Sequence, residues 1–362
     1  MDFKARQKAL EQTLFEHQLD ALLVSHLPNI RYLCGFTGSA GVVWVNGGEV
    51  TLFTDGRYIQ QAHEEVRGAK LVIGPKAPLT AAGEWIVRRR TSATARSVIG
   101  IEAEAMTVAA RERLAAVLPK QVRLRPTPPL VERARMAKDE AEIAEIRTAV
   151  ALGAGLFDRA LQVIRPGVKE IEVAAEMEYG ARKAGADAMS FETIIASGCR
   201  SALPHGRASA AVIGQGFVVC DFGVILHGYC SDRTRTVHVG SATAEARRVY
   251  GSVLEAQQAA IATVRPGIAV EDVDRAARKV LRRSGLGKHF THSTGHGVGL
   301  EIHEAPRVAK GQQEVLRPGM VITIEPGVYL PGHWGVRIED MVVVTEQGCE
   351  VLTPTQKEFI VI

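Results

Sequence analysis

No stretch of this sequence approaches the ~18 uninterrupted apolar residues of a membrane-spanning helix, so no membrane partner is expected. The opening residues, MDFKARQKALEQTLFEHQLD, are charged and amphipathic and lack the apolar segment of a secretory signal, which leaves a cytoplasmic location as the expectation. Cysteine is scarce: Cys34, Cys199, Cys220, Cys230 and Cys349 are odd in number and form no CxxC pair. That argues against a disulfide framework and fits free thiols in a reducing compartment. Excess charge of one sign is also missing, with a net +4 over the whole chain. The short run RRR at Arg88 to Arg90 lies in a helix-like stretch and reads as a solvated face. Nothing in this balance recommends a nucleic-acid partner. GHGVG lacks both the GK[ST] ending and the GxGxxG spacing of nucleotide loops.

What is present divides 362 residues into two unlike parts. Hydrophobic residues make up 46% and charged residues 23%, enough for two globular cores. Up to residue 125, strand-like DALLVS, GVVWV, VTLF, KLVI and SVIGI alternate with helical periodicity near 2–18, 56–66, 78–90 and 107–118. This predicts an α/β domain over 1–125. RPTPPL, Arg125 to Leu130, predicts an end to regular structure. A linker and connecting helix are expected over 126–149, the helix arising from KDEAEIAEIRTAVALGAGLFDRAL, and a second domain over 150–362. That domain repeats itself: RPGVKEIEVAAEMEYGARKAGA starts at Arg165 and RPGIAVEDVDRAARKVLRRSGL at Arg265. Each reads as a turn, an amphipathic helix, a stop at Gly185 or Gly285, and then apolar extended segments. An α+β domain with a pseudo-twofold repeat, and a site at its seam, is the expectation.

Chemistry concentrates in this second part. VVCDFGVILHGYCSDRTRT, Val218 to Thr236, reads as a β-hairpin turning near His227-Gly228, with Asp221 and Asp232 set among β-formers. Cys220 and Cys230 beside them read as small apolar packing residues rather than ligands. Burying two unpaired carboxylates costs several kcal/mol and calls for a cation. HSTGHGVGLEIHE adds His292, His296 and His303, and its glycines deny it the helix of HxxxH zinc sites. VITIEPGVY ends an apolar strand on Glu325; GVRIEDMVVV begins another at Glu339, with Arg337 two residues earlier on the same face. Four carboxylates carry the charge that two divalent cations neutralise, and His296 completes an oxygen-rich set. Such a set favours Mn²⁺, with Co²⁺ and Zn²⁺ as competitors. Two ions ~3.5–4 Å apart share a hydroxide nucleophile and clamp both ends of a hydrolytic displacement.

The order Asp, Asp, His, Glu, Glu in these contexts resembles the pita-bread metallopeptidases of family M24, above all the proline-specific branch of aminopeptidase P and prolidase. The resemblance spans nearly the whole chain. LPNIRYLCGFTGSAG and TLFTDGRYIQQA are similar to the creatinase-type N-terminal domain; SALPHG, DFG, GYCSDRTRT, STGHGVGLEIHE, TIEPGVY and GVRIED are similar to the catalytic motifs. It implies a creatinase/prolidase-type α/β domain followed by a pita-bread catalytic domain with a curved antiparallel sheet, assembled as a homodimer. By the same resemblance Asp221 holds one metal, His296 and Glu325 the other, and Asp232 and Glu339 bridge them. His205 contacts substrate near the scissile bond, His303 stabilises the tetrahedral intermediate or moves protons, and His292 lines the proline pocket. Arg337 pairs with site carboxylates or substrate, Tyr329 stands behind the ligands, and Glu325 acts as base and then acid. SGCRSALPHG departs from the family near Arg200, where Asn or Ala is more usual.

The implied substrates are peptides with proline in second position. Their scissile bond lacks an N–H. Within the branch, FTGSAG and TDGRY favour the aminopeptidase that trims longer peptides, with the dipeptidase as the alternative. Segments 26–40 and 55–63 are candidate closing loops; Arg57 and His63 in the latter read as surface residues. A methionine aminopeptidase, a metal-free creatinase-like hydrolase and an inactive binding module are the remaining alternatives; the complete ligand set and the N-terminal domain weigh against them.

Overall fold

A computed structural model describes residues 1–89, 97–353 and 355–362. The chain forms two compact units, Met1–Arg135 and Met136–Ile362, dividing inside the span expected as linker. Arg90, the last residue of the RRR run, lies outside the described residues. Among the described residues no helix is long and apolar enough to cross a membrane.

The first unit is built on a six-stranded mixed sheet in the order Lys70–Gly74, Glu49–Asp55, Val42–Asn46, Ala21–Val24, Ser97–Glu102, Val122–Thr127. Ala21–Val24 is buried at every position, as expected of a central strand covered on both faces. Leu27–Cys34 is a helix that periodicity did not mark. Pro28 sits in its first turn, where a missing N–H costs nothing, and Gly35 at φ 82° ends it in the left-handed conformation. The expected break at RPTPPL is corrected. Arg125, Pro126 and Thr127 belong to a strand pairing in parallel with Ser97–Glu102. That strand is at the sheet edge, the one place where proline's absent N–H breaks no ladder.

In the second unit Glu140–Val163 starts from a capping box: Asp139 Oδ1 accepts from Glu142 N at 2.9 Å and Glu142 Oε2 from Asp139 N at 3.0 Å. The repeat is real in backbone detail. Helices Glu170–Lys183 and Val270–Arg283 lie 100 residues apart, as read from the sequence, and follow turns whose Gly167 and Gly267 have φ 93° and 83°. In each turn the glycine N–H donates to a residue about 46–49 positions on, Gly167 to Ile213 O at 3.0 Å and Gly267 to Leu316 O at 2.9 Å. Each half buries its own apolar cluster, one around Phe157, Met177 and Phe222, the other around Tyr250, Leu281 and Ile324.

The sheets between these helices are antiparallel. One runs Arg233–Val239, Gly216–Phe222, Ile194–Ser197; the other runs Glu304–Val308, Gly295–Gly297, Val321–Ile324, Asp340–Val344, Cys349–Val351. The first of these meets the chain that leads into the second, the strand Trp334–Arg337 and Glu339 after it, where Glu339 N donates to Thr234 O at 3.1 Å and Thr236 Oγ1 to Arg337 O at 2.8 Å. Behind this seam the fully buried Asp340 accepts from Arg235 Nη2 at 2.8 Å, Gln257 Nε2 at 2.7 Å and Thr353 Oγ1 at 2.9 Å. With Lys357 Nζ as a second cation, both oxygens of this buried carboxylate are bonded, which offsets the cost of burying its charge.

Candidate active site

The hairpin forms as read. Leu226 pairs with Tyr229 across a two-residue turn in which His227 and Gly228 both have positive φ, 46° and 75°. Register then places the aspartates. Thr234 faces Asp221 and Arg233 faces Phe222, so Asp232 falls opposite Gly223, two residues beyond Asp221 on the same face. Gly223 is required there, because a Cβ would run into Ser231 O. Cys220 and Cys230 are buried in the apolar clusters to either side, and burial pushes both thiols up to about 12, which keeps them protonated.

His296 comes from the short strand Gly295–Gly297, wedged so tightly that a Cβ on Gly295 would meet Thr323 O. Its Nδ1 lies 3.0 Å from Gly297 O, so Nδ1 donates and Nε2 is left with its lone pair. That lone pair points at Asp232 Oδ2 and Glu325 Oε1, each 3.5 Å away. Burial lowers the imidazole to about 4, so near neutral pH it carries no proton to offer them.

Thr234 and Arg337 organise the other wall. Thr234 Oγ1 donates to Glu339 Oε2 at 2.7 Å and accepts from Arg337 Nε at 3.0 Å. Arg337 Nη2 donates to Asp221 Oδ2 at 2.5 Å, and Nη1 to Pro204 O at 3.0 Å and Tyr329 Oη at 2.7 Å. One cation nonetheless serves four carboxylates. Asp221 Oδ1 and Glu339 Oε1 remain buried without a partner. Burial first, and then the neighbouring negative charges, holds the carboxyls of Asp232 and Glu339 well above their usual range. Burial pushes Glu325 up to about 7 against the pull of Arg337. Asp232, His296 and Glu339 each offer a ligand atom, all within 4.8 Å of one another. Orphaned carboxylate oxygens converging with a bare imidazole nitrogen fit divalent cations.

Residues 144–346 match the model of metallopeptidase family M24, and residues 6–137 that of the creatinase/prolidase N-terminal domain. The chain belongs to metallopeptidase family M24. It is 37% identical to an Xaa-Pro dipeptidase of Pyrococcus horikoshii over 98% of both chains. A solved Xaa-Pro dipeptidase from Bacillus anthracis superposes with a TM-score of 0.95 at 38% identity, covering 100% of both chains. An X-Pro aminopeptidase from Thermotoga maritima gives 0.88 at 36% identity, covering 98% of this chain and 99% of its own. The M24 fold is thus the pita-bread catalytic domain behind a creatinase-type N-terminal domain, and the family's chemistry is metal-dependent.

The five expected ligands of this M24 peptidase line one cavity of about 730 Å³ together with His205, His292, His303 and Arg337, whereas Tyr329 is buried behind it and Arg200, Arg57 and His63 are not part of its lining. His205 and His303 are exposed in it, and the His303 ring meets the His296 ring edge-on at 4.4 Å. His292 is differently placed from a free substrate ligand. Tyr329, whose Oη already accepts from Arg337, donates to His292 Nε2 at 3.0 Å, and His292 Nδ1 donates to Ser293 O at 2.7 Å. Both ring nitrogens are engaged, so His292 turns an apolar ring edge or face to a ligand. Burial lowers it to about 4, which keeps it neutral.

The cavity also holds residues that sequence reasoning missed. Phe191, Ile194 and Pro204 form an apolar wall. Glu192 and Arg207 pair at 2.8 Å, both exposed, while the exposed Arg307 has no side-chain hydrogen bond or ion pair among the described residues. Arg307 stands four residues after His303 in HEAPRV, on the strand Glu304–Val308. That spacing puts the two on the same alternation, a local signal that the sequence does carry.

Proposed function

We propose that this M24 peptidase is an Xaa-Pro dipeptidase working with two divalent cations, Mn²⁺ first among them. The observation that carries the hydrolase reading is the convergence of Asp221, Asp232, Glu325, Glu339 and His296 on one cavity with two carboxylate oxygens unpaired. When bound there, the cations supply a water made nucleophilic near neutral pH and Lewis-acid polarisation of the scissile carbonyl.

The remaining steps belong to side chains. Asp221, Asp232, His296, Glu325 and Glu339 would hold these cations. Arg337 holds Asp221 in place and, through Thr234, Glu339 as well. Glu325 takes the proton of the attacking water and returns it to the departing proline nitrogen, which must be protonated to leave. His205 and His303, exposed on the cavity wall, donate hydrogen bonds to the carbonyl oxygen as it gains charge. Phe191, Ile194 and the engaged His292 ring offer apolar surface to the proline ring.

The sequence expectation favoured cleavage of longer peptides. The relatives named as Xaa-Pro dipeptidases, at full coverage, support the dipeptide instead. Arg307 supports it too: an unpaired guanidinium in the cavity suits the carboxylate that a dipeptide carries directly on its proline. The Thermotoga neighbour keeps the aminopeptidase as the second reading.

Product analysis decides between them. Metal-stripped protein reloaded with Mn²⁺ is given Ala-Pro and Ala-Pro-Ala together, and products are identified by mass spectrometry. Loss of Ala-Pro alone is the expected result. Release of Ala and Pro-Ala from the tripeptide overturns the dipeptide restriction, and no cleavage with any divalent metal overturns the peptidase reading.

A further inference from the structure

Arg200, the departure noted in SGCRSALPHG, reaches a carboxylate that the site above does not use. Glu170 is the first residue of the helix Glu170–Lys183 and its side chain is fully buried. Its Oε1 accepts from Ser197 N at 2.8 Å and Ser197 Oγ at 2.9 Å; its Oε2 accepts from Ser209 Oγ at 2.7 Å and Ser209 N at 3.2 Å. Arg200 Nε donates to the same carboxylate at 3.0 Å, and its Nη2 donates onward to Arg207 O at 2.7 Å. The two ends of the 197–209 loop are therefore gathered on one buried carboxylate, and the arginine braces its middle.

That loop carries His205, and its Pro204 O accepts from Arg337. The repeat shows that the fold does not demand this arrangement. At the equivalent position of the second half, 100 residues on, stands Val270, fully buried and apolar. A helix of the same length starts there without a carboxylate. Burying a charge at 170 is costly unless every oxygen is bonded, and here each one is. The second half holds its own histidine segment differently: Asp274 accepts from Arg278 Nε at 2.7 Å, and Arg278 Nη2 donates to His292 O at 2.5 Å.

We propose that Glu170 and Arg200 are positioning residues: the carboxylate closes the 197–209 loop and Arg200, spanning from it to Arg207 O, sets where His205 stands in the cavity. The activity arm of the test rests on the peptidase reading; the exchange arm does not. Arg200 is 31% exposed, so its replacement is compatible with folding. In Arg200→Ala, amide hydrogen exchange rises over 203–208 but not over the helix 170–183, and the Tm falls only modestly, because Ser197 and Ser209 still bond both oxygens of the Glu170 carboxylate that loses its cation. With Ala-Pro and Mn²⁺, kcat/KM falls about 10- to 100-fold, chiefly in kcat, as misplacement of a group acting on the transition state demands.

Guanidinium added to the buffer restores part of the loss. Arg200→Lys does not, because one ammonium cannot bridge both acceptors. Adding Arg200→Ala to His205→Ala costs no more than about twofold further. Losses that multiply place the action of Arg200 elsewhere, and full activity in Arg200→Lys reduces it to charge; either result overturns the proposal. Unchanged exchange over 203–208 overturns it whether or not the protein cleaves Xaa-Pro bonds. If neither parent nor variants cleave, the peptidase reading falls and the exchange data alone judge the clamp.

Discussion

Valine in place of Thr234 strikes the joint between the two halves of the catalytic unit. The side chain is fully buried and its Oγ1 both donates to Glu339 at 2.7 Å and accepts from Arg337 at 3.0 Å. Valine has nearly the same shape, so no cavity opens, but a carboxylate oxygen and a guanidinium N–H lose their partner where water does not reach them. Each orphan costs about 1–3 kcal/mol. Both belong to one network and do not simply add, which gives an expected loss of about 3 kcal/mol. For a unit of this size that lowers Tm by about 6–12 °C. Serine keeps the hydroxyl and gives up only a methyl, about 1 kcal/mol. Glu339 also loses its orientation, so metal affinity in the valine variant falls about 10- to 100-fold. Scanning calorimetry at fixed Mn²⁺ concentration and isothermal titration of the stripped protein read the two effects separately. A valine variant within about 0.5 kcal/mol of the parent, or a serine variant as damaged as valine, refutes the reasoning.

Metal removal makes stability fall with pH. Without cations, Asp232 and Glu339 titrate well above their usual range and Glu325 at about 7, so the native state holds protons that the unfolded chain has released. The neutral His292 and His296, lowered to about 4, work in the opposite sense, but only below their ordinary 6.5. From about pH 6.5 to 8 the carboxyls alone remain, so the Tm of stripped protein declines over that range and Mn²⁺ restores it; a rising Tm defeats the assignment. Thiol labelling with iodoacetamide at about pH 8 modifies the exposed Cys199 and spares Cys34, Cys220 and Cys230, whose thiols burial holds at about 12; mass mapping that finds Cys220 labelled in native protein contradicts its packing. Gly223→Ala drives a Cβ into Ser231 O, displaces Asp232 and costs about 1–3 kcal/mol together with metal affinity; a variant that binds Mn²⁺ as the parent does rejects the hairpin geometry.

Much of the site was written locally. The two-residue turn at His227-Gly228 needs only residues tolerant of positive φ, and once it forms, the period of two settles which face Asp221 and Asp232 share. The glycines around His296 rule out a helix within five residues of sequence. The 100-residue offset between Gly167 and Gly267 survives as matching turns and helices because the same local signals, a glycine at positive φ and then an amphipathic helix, recur in each half. These features depend on spacings of a few residues, which a linear reading resolves.

Other features are decided by which segments pack together. Pro126 reads as a breaker until the sheet order puts its strand at an edge. Thr234 is an ordinary strand residue until Glu339 and Arg337, more than 100 positions away, arrive on either side of it. His292 looks like a free ligand until Tyr329 and Ser293 occupy both its nitrogens. Glu170 looks like the acidic first turn of a helix until the 197–209 loop folds over it. The sequence by itself determined the chemical types brought to the site and the local elements bearing them, because turn preference and alternation act between near neighbours. Only the tertiary structure decided which polar atoms found partners and which carboxylate oxygens were left bare, because in a close-packed interior that depends on groups far apart in the chain arriving within 3 Å of one another.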